Sequence, residues 1–102
     1  MREYRFKRGF KPTPERLEEM LRKHFGGFEA DGEFYIVRDF GAIKELRLKL
    51  ENKRLYAESK TRLTDDDTAM KTLKTYNKFL EEFTGYTAKE RQKLMKKEAE
   101  KG

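Results

Sequence analysis

Cysteine is absent from the 102-residue chain, so disulfides and thiolate metal sites are excluded. Tryptophan is missing too, and His24 and Ser59 are the single histidine and serine. A histidine-rich metal site is therefore out of reach, and no Ser/His/Asp constellation is readable around His24, which could act only as a lone acid or base. Two prolines, Pro12 and Pro14, leave most of the chain free to form long elements. No apolar run is long enough for a membrane helix, and no signal-peptide core follows Met1, so a cytoplasmic setting is expected. There is no GxGxxG and no GxxxxGK[ST]; Gly26-Gly27 and Gly41 are read as a helix stop and a turn.

What is present is charge: 43% of residues are Asp, Glu, Lys or Arg, with a net charge of +6. Such content would suggest disorder were the 35% hydrophobic residues not placed with clear periods, which argues for a folded chain. Residues 88–102 hold six of the cations and three of the anions, so half of the net charge lies in the tail. The abundance of Lys and Glu beside few side-chain amides matches a thermophile's composition.

The longest element is Thr64 to Gly85. Thr64 is the expected N-cap, followed by Asp65, Asp66 and Asp67 at the positive end of the helix dipole. Ala69, Met70, Leu73, Tyr76, Leu80 and Phe83 recur at steps of three and four and draw the expected buried stripe, with Phe79 at its edge. Gly85 supplies the C′ stop.

Upstream, Arg2 to Arg8 alternates as a short strand. Thr13 caps a helix with Pro14 first, carrying Leu17, Met20, Leu21 and Phe25, and ending at Gly26. From Phe28 to Thr61 the period drops to two. Asp31-Gly32 and Asn52-Lys53 mark turns, and Leu46, Leu48 and Leu50 alternate with Arg47 and Lys49. Thr87 and Glu90 form a capping box that opens a highly charged helix.

The expected fold is α+β, in the order β-α-β-β-β-β-α plus a charged C-terminal helix. An antiparallel sheet of four to five strands should carry two helices on one face. Residues 1–86 are read as one α+β domain and 87–102 as a charged helix or tail. The expected core is Tyr4, Phe6, Leu17, Leu21, Phe25, Ile36, Leu46, Leu48, Leu50, Leu55, Leu73, Tyr76, Leu80 and Phe83. Truncation of Leu73 to alanine should then cost about 2–5 kcal/mol.

The acidic run Asp65–Asp67 lacks the alternation, glycine and closing Glu of a calcium loop, so helix-dipole and solubility roles explain it better than metal. His24 reads as a histidine at the edge of the helix. No catalytic, cofactor-binding or metal-binding residue is assigned, and a non-enzymatic binding or interaction module is the expected class. The candidate face is Arg5, Lys7, Arg47, Lys49, Tyr56 and Lys60 on the open side of the sheet. Basic residues interleaved with an aromatic suit RNA or DNA, the alternative reading. Glu3, Glu45, Glu51 and Glu58 dilute that patch, and the same face could pair with a second copy or another protein.

Two stretches resemble a small, uncharacterised family of archaeal proteins: Asn77 to Arg91 (NKFLEEFTGYTAKER) and Met1 to Gly9 (MREYRFKRG). The resemblance implies an archaeal, cytoplasmic origin and carries no activity, cofactor or site residue. At the level of element order, strand, helix, four strands and long helix look like one half of the TATA-binding-protein fold. That similarity implies architecture alone, since the DNA-contacting phenylalanine pairs of that protein have no match here.

Overall fold

A computed structural model of the chain describes residues 2–101, with side chains through Leu94. The elements are β1 (Arg2–Tyr4), α1 (Pro14–Phe25), β2 (Glu29–Asp31), β3 (Phe34–Phe40), β4 (Ile43–Glu51), β5 (Arg54–Thr61), α2 (Asp66–Thr84) and α3 (Ala88–Lys101). The strands form one antiparallel sheet in the order β1-β5-β4-β3-β2. The expected α+β class and element order are thus found, with five strands.

Local chemistry explains most element ends. Thr13 accepts from Arg16 N, Pro14 opens α1, and Gly26 closes it in the left-handed region. Asn52 and Lys53 both take positive φ, the geometry of a type I′ hairpin turn between β4 and β5. The capping box is made in both directions: Glu90 N donates to Thr87 Oγ1 and Thr87 N to Glu90 Oε1, each at 3.2 Å. Two expected boundaries move. The N-cap of α2 is Asp65 rather than Thr64, because its carboxylate reaches both the backbone N–H and the hydroxyl of Thr68. The first strand stops at Tyr4 rather than Arg8, since beyond it Lys7 N donates to Thr84 O at the end of α2.

One sheet face carries Val37, Leu46, Leu48, Leu55 and Ala57, which pack with Leu17, Leu21 and Phe25 of α1 and Phe79, Leu80 and Phe83 of α2. Phe6, Leu50 and Tyr76 are half-buried against this core. Phe79 sits at its centre, 5.5 Å from the Phe25 ring and 5.9 Å from Phe83. It is fully buried, not at an edge.

Leu73, by contrast, is 56% exposed, so its place in the expected core is overturned. The reason is its place along the helix. The core takes its α2 side chains from Tyr76 onward, and Leu80, on nearly the same side of the helix as Leu73, is buried. In the first half it is small, polar Thr72 that is buried, its Oγ1 accepting from Ala42 N at 3.0 Å. Ile36 is buried, but it lies on the other sheet face, opposite Glu29 and Arg47 in register.

Candidate functional site

The open face of the sheet is built by alternation. Tyr56 lies opposite Lys49 and Glu3, Arg47 opposite Glu58 and Ile36, and Glu45 opposite Lys60 and Arg38. Arg47, Lys49, Tyr56 and Lys60 therefore do share this face, as the alternating pattern predicts. The Arg47 guanidinium lies 4.8 Å from the Phe34 ring centroid, and Lys49 Nζ lies 5.6 Å from both Phe34 and Tyr56. These cation–π contacts hold the cations down on the sheet.

Carboxylates neutralise much of the face. Lys49 Nζ is 3.1 Å from Glu51 and 3.9 Å from Glu33, and its pKa is raised chiefly by the hydrogen bond to Glu51. Lys60 Nζ is 3.9 Å from Glu45, Arg38 pairs with Glu29 and Glu45, and Arg54 with Glu3. Cations already matched by fixed anions offer less to a phosphate backbone, whose binding rests on unneutralised charge.

Lys7 leaves this face. Lys7 Nζ lies 3.2 Å from Glu90 Oε2 and 5.7 Å from the Tyr86 ring, so it fastens the start of α3. Arg5 lines a cleft of about 300 Å³ between β1 and α3, with Arg2, Arg54, Tyr86, Arg91 and Leu94.

The remaining sequence candidates have structural duties. Asp65 spends its carboxylate on Thr68, whose hydroxyl first and backbone N–H second hold its pKa below the ordinary value. His24 Nε2 sits 2.8 Å from Glu82 Oε2 where α1 meets α2, with its ring edge-on to Phe79. Among the described residues, no three His, Asp or Glu side chains converge as a metal requires.

A surface absent from the sequence reading lies beside the first half of α2. Ile43, Thr61, Ala69, Leu73 and Tyr76 line a groove of about 450 Å³ between the helix and the ends of β4 and β5. Leu73 and Met70, 56% and 57% exposed, stand at this end of the helix, and Leu63, 102% exposed, follows β5. The signal available in the sequence was an apolar stripe on α2 longer than the sheet beneath it, together with Leu63 alone in a polar stretch.

Residues 1–97 match the family model described as a domain of unknown function, DUF5611. An NMR solution structure of a hypothetical protein from Thermoplasma acidophilum is 31% identical and superposes with a TM-score of 0.62. The match covers 93% of this chain and 97% of that one. The archaeal family resemblance carried by Met1–Gly9 and Asn77–Arg91 is thereby supported. No curated protein matches the chain.

Proposed function

We propose that this chain, which belongs to the DUF5611 family of unknown function, is a non-enzymatic module that binds another protein. The observation that carries the reading is the α2–β5 groove lined by Ile43, Ala69, Leu73 and Tyr76, with Met70, three positions before Leu73 on the helix, exposed as well. Large apolar side chains exposed beside a groove mark an interaction site more often than an isolated exposed leucine does. Lys71 and Lys74, both exposed on α2, add a basic border that suits an acidic partner. A cytoplasmic setting fits the cysteine-free chain, and no helix among the described residues is long and apolar enough to cross a membrane.

Nucleic-acid binding through the sheet face is the competing reading, and the carboxylate partners of Lys49, Lys60, Arg38 and Arg54 weigh against it. The test is selection of a displayed random-peptide library on the full chain, repeated on Leu73→Asp. Peptides that bind the wild type and lose the variant support the reading. Labelled single-stranded RNA and duplex DNA are titrated alongside, at low and moderate salt. Nucleic-acid binding that weakens steeply with salt and is lost in Arg47→Glu/Lys49→Glu, with no Leu73-dependent peptide, overturns it.

A further inference from the structure

We propose that the partner is held as an added β-strand: an extended peptide segment pairs with the open edge of β5 at Ser59–Thr61 and lays alternate apolar side chains into the groove beside Leu73. The inference rests on the protein-binding reading above and states how that binding is done. Its first support is the unequal length of two neighbouring strands. β1 covers β5 only from Leu55 to Ala57, whereas β5 runs on to Thr61. Ser59 and Thr61 thus have no strand partner on that side among the described residues, and both are exposed.

The backbone direction there follows from the ladder. Arg62 N donates to Ala42 O, on the β4 side, at 2.9 Å. Neighbouring residues of a strand turn their N–H and C=O groups to opposite sides, so Thr61 and Ser59 aim theirs away from β4, toward the open edge. An uncovered edge of this kind is a template for another chain. The side chains of Ser59 and Thr61 fall on the same side as Ala57 and line the α2–β5 groove.

An incoming strand that hydrogen-bonds to Ser59 and Thr61 would therefore place every second side chain toward Ala69, Leu73 and Tyr76. Backbone pairing would supply affinity and the groove would supply selectivity, as in other strand-addition modes. The intervening side chains would lie on the open face beside Glu58 and Lys60, where Lys60 already pairs with Glu45, so polar residues of either sign suit them. The occupant is accordingly an extended segment with apolar residues alternating with polar ones. A helix with apolar residues on one face would fill the groove yet leave the Ser59 and Thr61 backbone unpaired.

The experiment uses the peptides selected on the full chain and the variant Thr61→Pro. Proline removes the outward N–H while leaving the β4–β5 ladder intact, since edge strands accept it on the outward side. Strand addition predicts selected peptides with an apolar period of two and a loss of about tenfold or more in affinity for Thr61→Pro. It also predicts slowed amide exchange at Ser59 and Thr61 in the complex. Peptides that lose Leu73→Asp but bind Thr61→Pro unchanged, with no new protection at the edge, overturn strand addition and leave the protein-binding reading standing. A selection that yields no peptide sensitive to Leu73→Asp overturns both.

Discussion

The hydroxyl of Thr72 accepts a hydrogen bond from the backbone N–H of Ala42 at 3.0 Å and donates one to Thr68 O at 2.7 Å. One side chain thus anchors the overhanging half of α2 to the β3–β4 turn and, with it, shapes the groove. The approach is close enough that a Cβ on Gly41 would stand 2.2 Å from Thr72 Oγ1. Gly41 also takes a φ of +55°, which side-chain-bearing residues rarely adopt.

Replacement of Thr72 by valine keeps the shape and leaves the Ala42 N–H unpaired. We expect a loss of about 1–3 kcal/mol in urea unfolding. Gly41→Ala should also destabilise, through the clash and the positive φ together. Wild-type stability in Thr72→Val would show that the contact does not hold the helix.

Leu73 and Phe79 separate the core from the proposed docking surface. Leu73 is exposed and Phe79 fully buried among Phe25, Tyr76 and Phe83. Leu73→Ala should shift stability by no more than about 0.5 kcal/mol. Phe79→Ala should cost about 3–5 kcal/mol. Thermal melts of the two variants under one buffer decide the matter. A large loss in Leu73→Ala would return that residue to the core and remove the apolar surface.

These two residues also show where the sequence was legible. Periodicity located α2 and its length, and turn chemistry located the hairpins, because both signals are local. How far the core extends along α2 was not local. Leu73 and Leu80 differ by seven positions and so lie on nearly the same side of the helix, yet Leu80 is buried and Leu73 exposed. The core takes its α2 side chains from Tyr76 onward, while the first half is held to the β3–β4 turn through Thr72 and Ala42, and nothing near Leu73 in sequence announces it. The same limit applied to the surface. Alternation put Arg47, Lys49, Tyr56 and Lys60 together correctly, yet it could not show Glu33 reaching Lys49 from the start of β3 or Lys7 leaving to meet Glu90. The open edge of β5 depended on the register of β1, whose first described residue, Arg2, pairs with Ala57, and a pairing register is not a local signal.

Acid should act on the α1–α2 junction. Lys23 Nζ and His24 Nε2 lie 3.0 and 2.8 Å from the same Glu82 oxygen. The Lys23 hydrogen bond first, and the His24 contact second, hold the Glu82 carboxyl below its ordinary value of 4.5. A carboxylate with a lowered folded pKa contributes stability that is present in full above the unfolded value. That contribution is lost as the pH falls through the folded value. Stability measured by urea between about pH 7 and pH 3 should therefore decline on the acid side, and Glu82→Gln should flatten that decline. Parallel acid limbs for the two proteins would assign the loss to other carboxylates.

Arg91 should decide how firmly α3 belongs to the rest. Its guanidinium donates to Tyr86 O at 2.7 Å and to Asn77 Oδ1 at 3.0 Å, and it lies 5.9 Å from the Tyr4 ring centroid. One side chain thus ties α3 to α2 and to β1. Burial lowers its pKa, yet a guanidinium stays charged throughout the working range. Hydrogen bonds from a charged donor are worth about 1.5–3 kcal/mol, so Arg91→Ala should release the start of α3 by that order. If residues 1–86 fold as one unit with α3 appended, the release stays local. Amide exchange should then quicken over residues 88–94, while protection around Leu46, Leu48 and Phe79 is kept. Arg91→Lys should fall short of rescue, because an ammonium lacks the planar fork that reaches Tyr86 and Asn77 together. Equal loss of protection across the sheet in Arg91→Ala would mean that α3 is part of the same cooperative unit.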